Sequence, residues 1–251
     1  MIDEDDLTCD AITRDFRIFQ RRRGHRYSLD DVATASGAVQ AKPGANTYVD
    51  LGCGIGSVLL MVTWRLSNAR AWGIEALDES IELARRSVRS NGLHERVSLR
   101  HGDLRDVART WAGPRVDLVT GTPPYLPRGT ALASPDAQRA AARIELRGGV
   151  EDYLVAASRL LAGGGRVVVC SDARHPERVP RGAEQAALLP LQRHDILPRA
   201  GASPLFSVWT LRALGPDDDA CQRWTHTSAT MRDAEGKRTT DALAMRARFG
   251  L

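Results

Sequence analysis

A short apolar run, Thr47-Tyr48-Val49-Asp50-Leu51, passes straight into the turn Gly52-Cys53-Gly54-Ile55-Gly56 and then into residues 57–66, which read as a helix. Closely spaced glycines between a buried strand and a helix let the backbone turn sharply and approach a ligand. Ligands of open α/β sheets bind outside the carboxyl ends of the strands, where this turn lies. Few folds accommodate such a unit other than a parallel sheet with crossover helices.

The alternation continues along the chain. Residues 69–75 read as a second strand, 78–91 as a helix closed by Asn91-Gly92, and 96–103 and 115–121 as further strands. Val150, Tyr153, Leu154, Ala157, Leu160 and Leu161 share one face of a helix over 150–161. Gly163-Gly164-Gly165 is expected to end it, and 166–170 to form a fifth strand. Residues 190–198 and 204–212 read as an antiparallel hairpin around Arg-Ala-Gly-Ala-Ser. The expected fold is therefore α/β: a Rossmann-like, doubly wound sheet of seven strands, mostly parallel, with an antiparallel C-terminal hairpin. The division predicted is an N-terminal extension over 1–40 that contributes to the site, a main domain over 41–214 and a polar, Arg-rich extension over 215–251.

A hydrophobic content of 43% over 251 residues is enough for a full core. No apolar run is long enough to span a bilayer, so no membrane partner is expected. The acidic start does not resemble a secretory leader, which makes cytoplasm the default location. Cys9, Cys53, Cys170 and Cys221 form no CxxC pair, so reduced thiols and no metal site are expected. The net charge of +4 is compatible with a nucleic-acid partner without requiring one. Arg21, Arg22, Arg23 and Arg26 cluster near the N-terminus, either as a solvated arm or as ligands for phosphates.

A glycine turn alone is shared with nicotinamide enzymes, and two details separate the readings. Ser57 stands where the third glycine of the dinucleotide fingerprint belongs. Asp50, two residues before Gly52, would repel a pyrophosphate and favour a cationic ligand. Glu75 at the end of the second strand can accept from two ribose hydroxyls. Asp103, in His101-Gly102-Asp103-Leu104, can accept from an adenine amino group. The fourth strand runs into Gly121-Thr122-Pro123-Pro124-Tyr125. The two prolines remove two donors and leave carbonyls free, so a substrate amine can be held by Pro123 and by the Thr122 oxygen. Tyr125 offers a flat face to a planar substrate.

With these residues in view, the chain resembles class I methyltransferases dependent on S-adenosyl-L-methionine, in particular the small-methyltransferase-domain family that includes bacterial tRNA(Val) adenine N6-methyltransferases. More distantly it is similar to the glutamine methyltransferases of release factors and to rRNA guanine methyltransferases. Arg26-Tyr27-Ser28-Leu29-Asp30 resembles the family's N-terminal signature, and Ala142-Arg143-Ile144-Glu145 its Ala-Arg-His-Glu stretch. The resemblance implies S-adenosyl-L-methionine held by Asp30, Asp50, Gly52, Cys53, Gly54, Gly56, Glu75, Asp103, Leu104 and Thr122. It implies a reacting loop of Thr122, Pro123, Pro124 and Tyr125, and an RNA substrate, tRNA-like, methylated on an exocyclic adenine amine. The departure is Thr122, where the family usually has Asn. A protein amide or small-molecule acceptor therefore stays open, as does an inactive cofactor- or RNA-binding module. Oligomeric state is not legible.

Overall fold

In the computed structural model, residues 3–130, 132, 134–219 and 223–251 are described. Cys221 lies outside them, whereas Cys9, Cys53 and Cys170 are free thiols. The chain opens with a hairpin of β1 (Leu7–Ala11) and β2 (Arg17–Arg21), followed by α1 (Leu29–Ala41). Then come β3 (Thr47–Leu51), α2 (Ser57–Arg65), β4 (Arg70–Glu75), α3 (Asp78–Ser90), β5 (Val97–His101), α4 (Leu104–Arg109) and β6 (Val116–Gly121). The remainder is α5 (Ala137–Arg143), α6 (Val150–Leu160), β7 (Leu161–Asp172), α7 (Arg178–Gln185), β8 (Leu188–Leu197), β9 (Phe206–Ala213), β10 (Thr225–Thr230) and α8 (Thr240–Ala247).

The main sheet has the order β10-β8-β9-β7-β6-β3-β4-β5. β3 pairs in parallel with both β4 and β6, so the winding reverses there and the carboxyl end of β3 opens onto the switch-point crevice. β9 runs antiparallel between β7 and β8, forming the expected hairpin with β8. Strand residues alternate between two cores, as the pleat requires. Tyr48, Ala71, Val168 and Val208 pack with α1, α2, α3 and α8 on one face. Val49, Ile74, Val167 and Trp209 pack with α4, α6 and α7 on the other.

The sheet has eight strands where seven were expected. The eighth, β10, pairs in parallel with β8 at the edge, and its sequence Thr-His-Thr-Ser-Ala-Thr carries no apolar alternation to announce it. The glycines at 163–165 do not separate helix from strand, because β7 starts at Leu161 and runs through them. The C-terminal segment is bound to the fold at several points. Phe249 is fully buried, its carbonyl accepts from Arg14 N at 2.9 Å, and the Arg248 guanidinium donates to Ser36 of α1. No helix among the described residues is long and apolar enough to cross a membrane.

Candidate active site

The turn after β3 is built from three residues with positive φ, Gly52 (59°), Gly54 (56°) and Gly56 (90°). Gly52 has a second reason to lack a side chain. A Cβ there would run into the Tyr153 hydroxyl, which α6 lays against the turn. The turn is fastened to β4 from both directions. Cys53 N donates to the Ile74 carbonyl at 2.9 Å, and Gly54 N donates to Glu75 Oε2 at 2.9 Å. The other Glu75 oxygen accepts from Leu77 N at 2.7 Å. Glu75 thus shapes the glycine loop as well as facing the crevice.

A single cavity at the carboxyl ends of the strands brings together most of the predicted residues. Asp30, Gly52, Cys53, Gly54, Glu75, Asp103, Leu104, Thr122, Pro123, Pro124 and Tyr125 all line it. Two do not. Gly56 lies behind the turn and leads into α2, and Asp50 is buried beneath the cavity floor. Its Oδ1 accepts from Thr120 Oγ1 at 2.6 Å, while its Oδ2 has no partner. The expectation that Asp50 touches a ligand is therefore corrected. In a pleated strand the motif spacing fixes its position along the chain, but its side chain is buried, 1% exposed, beside Thr120 of β6.

Among the wall residues that sequence reasoning missed are His25, Asp31, Gln138, Arg147 and Tyr153. Asp31 had a readable signal. Ser28 and Asp31 form a capping box at the start of α1, with Ser28 N donating to Asp31 Oδ2 at 2.9 Å. Tyr153 was legible only as a core residue of the helix over 150–161, and His25, Gln138 and Arg147 come from segments with no local motif.

The electrostatics of the cavity are lopsided. Asp30, Asp31, Glu75 and Asp103 face it, opposed by Arg147 as the lone Lys or Arg in the lining. Burial pushes the Asp31 carboxyl up to about 8, with Asp30 and Asp50 adding to the effect. Burial likewise raises Asp50 to about 7 and Glu75 above its usual range. Asp103 moves the other way, because the Arg105 guanidinium clasps it at 2.9 and 2.7 Å. Burial lowers His25 below its ordinary value, with Arg139 adding to the effect and Asp30 opposing it. A crevice with this many carboxylates suits a ligand carrying positive charge, which relieves their mutual repulsion.

The Tyr125 hydroxyl lies 3.1 Å from Asp30 Oδ2 and 3.1 Å from Cys170 Sγ, which fixes the tilt of its ring. Just beyond it, Leu126 N donates to the Arg143 carbonyl at 3.0 Å and Glu145 N to the Leu126 carbonyl at 2.9 Å. Glu145 is in turn held by Arg178, which also clasps Glu151. The Ala142–Glu145 stretch thus splints the exit of the reacting loop. No hydrogen bond to the Thr122 hydroxyl is present among the described residues, so it is free toward the cavity.

The arginine cluster divides. Arg21 is not available to a phosphate, since Asp6, Glu79 and Asp136 surround its guanidinium at 3.0, 2.8 and 2.9 Å. It locks the N-terminal hairpin to α3 and α5. Arg26 pairs with Asp10 at 3.1 Å but stays half-exposed. Arg22 and Arg23 are exposed and next to Gly24-His25, which roofs the cavity.

Residues 49–144 match the model of a methyltransferase domain. A tRNA1(Val) (adenine(37)-N6)-methyltransferase of Porphyromonas gingivalis is 32% identical over 123 residues, covering 48% of each chain. A release factor glutamine methyltransferase of Homo sapiens is 29% identical over 162 residues, covering 60% of this chain and 47% of its own length. The chain thus spans about half the length of these curated relatives. Among solved structures, a predicted O-methyltransferase from Agrobacterium tumefaciens superposes with a TM-score of 0.64 at 19% identity, over 88% of this chain and 96% of its own. The chain carries a methyltransferase domain and resembles the class I fold that uses S-adenosyl-L-methionine as methyl donor.

Proposed function

We propose that this protein is an S-adenosyl-L-methionine-dependent N-methyltransferase acting on the exocyclic amine of an RNA adenine. The observation that carries the reading is the cavity itself, in which a proline-stiffened Thr-Pro-Pro-Tyr loop faces an acid-rich cofactor crevice. The residues present fit the cofactor. Asp30 and Asp31 offer negative charge to its ammonium and sulfonium, Glu75 has lone pairs left for ribose hydroxyls, and Asp103 can accept from its adenine amine. Bound there, the cofactor supplies an electrophilic methyl group.

The chain's own residues orient the nucleophile. The Thr122 hydroxyl oxygen and the Pro123 carbonyl accept the two amine hydrogens, which leaves the nitrogen lone pair for the methyl. Holding reactants in line is a large part of catalysis in such transfers. Tyr125, tethered by Asp30 and Cys170, presents a fixed ring on which an unpaired base can stack, worth about 1–3 kcal/mol. Arg22 and Arg23 at the roof offer charge to the flanking phosphates.

The test is incubation with methyl-labelled cofactor and separated RNA, protein and small-molecule fractions, followed by nucleoside analysis of the RNA. N6-methyladenosine carrying the label is the expected product. Label confined to protein would replace this reading with a second one, transfer to a side-chain amide, which the similarity to a glutamine methyltransferase favours.

A further inference from the structure

Beside the cavity runs a second groove, between the N-terminus of α1 and the β10–α8 segment. Its wall carries Arg26, Tyr27, Arg232, Arg238 and Arg246, and no carboxylate lines it. Arg232 and Arg238 are exposed and stand opposite one another across a β-bridge. Arg26 is engaged with Asp10, and Arg232 donates to the Gly236 carbonyl. The side chains of Arg238 and Arg246 have no ion-pair or hydrogen-bond partner within the described residues. The floor is apolar, with Met231 and Met245 beneath. Ser28 and Leu29 line this groove, and the next two residues, Asp30 and Asp31, line the cavity. The first turn of α1 therefore lies between the two depressions and contributes to the wall of each.

We infer that this groove is the docking surface for the RNA strand next to the methylated base, with Arg238 and Arg246 on phosphates and the Tyr27 ring beneath a neighbouring base. This rests on the RNA reading above and extends it to a segment that the arginine cluster at 21–26 does not include. Uncompensated cations beside an aromatic face and an apolar floor match single-stranded RNA, whose charge repeats along the backbone and whose bases stack without regard to sequence. Each phosphate neutralised adds to the salt dependence of binding.

The experiment compares the full chain with an Arg238→Gln/Arg246→Gln variant, using a fluorescent RNA hairpin with adenine in its loop. Affinity is read by anisotropy across a salt series, beside methyl transfer, cofactor affinity and thermal melting. The variant is expected to bind RNA about tenfold more weakly, with the slope of log K against log salt reduced by about 1.4 for two lost contacts on a single strand. Because neither guanidinium has a partner in the protein, melting and cofactor affinity should not move. An unchanged slope and affinity in the variant, with a wild type that binds and methylates RNA, would overturn the groove and leave the methyltransferase reading intact. Loss of RNA binding in the variant from a wild type that binds but never methylates RNA would support the groove and remove the RNA methylation reading. A wild type that binds no RNA even at low salt ends both.

Discussion

Binding of S-adenosyl-L-methionine at neutral pH is expected to release protons. The empty protein holds Asp31 near 8 and Asp50 near 7, both raised by burial among other carboxylates. At pH 7 that corresponds to roughly 0.9 of a proton on Asp31 and 0.5 on Asp50. A ligand with two cationic centres favours the carboxylate of Asp31, which lines the cavity, and more weakly that of Asp50 below it. About one proton should leave per cofactor bound. Calorimetry at pH 7 in phosphate and in Tris, which differ in ionisation enthalpy, gives the count as the slope of observed enthalpy against buffer enthalpy. S-adenosylhomocysteine, whose sulfur is neutral, should release fewer protons, and Asp31→Asn should remove most of the effect. The same acids set the stability of the empty protein. Their folded values lie above the unfolded ones near 4, so their contribution is fully present below about pH 4 and is lost as pH rises through 7 and 8. Each unit of displacement is about 1.4 kcal/mol, which makes Asp50 alone worth on the order of 4 kcal/mol across that window. The melting temperature without cofactor should therefore fall from pH 5 to pH 9 and flatten when cofactor saturates. A zero slope in the two buffers, with tight binding, would refute the picture of protonated acids awaiting a cation.

Three other perturbations test separate parts of the site. Thr122→Asn restores a longer carbonyl acceptor; if adenine is the substrate, methylation should hold or rise, and a loss beyond about 10-fold, the value of roughly 1.4 kcal/mol, would mean the acceptor is shaped to threonine. Gly52→Ala puts a Cβ at φ 59° against the Tyr153 hydroxyl; the left-handed backbone alone costs about 1–2 kcal/mol, so cofactor binding should be lost and melting lowered, with partial recovery in the Gly52→Ala/Tyr153→Phe pair. Arg178→Met leaves Glu145 without its cation and Glu151 with Arg181 alone, their side chains only 12% and 19% exposed; the loss should be about 1–3 kcal/mol after allowance for that exposure, read as a lower melting temperature. Because Glu145 splints Leu126, the same variant should raise KM for the methyl acceptor while leaving cofactor affinity unchanged.

The central strands and the place of the Thr122–Tyr125 turn at the cavity wall were legible because both signals are local. Alternating strands and helices announce a parallel sheet, and Thr-Pro-Pro-Tyr is stiff whatever surrounds it. What stayed hidden depends on long-range burial. Helix α1 is buried nearly all round through Val32, Ala33, Ala35, Ala38 and Val39, together with Asp31, Thr34 and Ser36. A helix covered on so many sides has no polar stripe to betray its period, so residues 1–40 read as an extension. The strand β10 was missed for the converse reason, since an edge strand open to water needs no apolar face. Asp50 shows a third limit. Its place before the glycines pointed to a ligand contact, and only the folded sheet shows it buried with one oxygen taken by Thr120. Arg21 is the same lesson on the surface, a cation placed in a basic run whose three carboxylate partners lie far off in sequence or across the hairpin.

The two ends of the cavity tolerate change differently, and this bears on what the threonine means. At the cofactor end Glu75 is bonded to the backbone of Gly54 and Leu77, so altering it disturbs the loop itself. At the acceptor end the Thr122 hydroxyl has no claim from neighbouring side chains, and its proton must go somewhere when a ligand fills the site. A hydroxyl that accepts from the target amine can donate to an acceptor beside that amine. Adenine has one in a ring nitrogen, and a glutamine amide has one in its carbonyl oxygen. On the proposed reading, this end of the cavity would select a planar nitrogen with a neighbouring acceptor, and by itself it would not separate a base from an amide. On the RNA reading proposed above, that discrimination falls to Arg22, Arg23, Arg238 and Arg246, which have no carboxylate partner among the described residues and whose charge a phosphate chain complements.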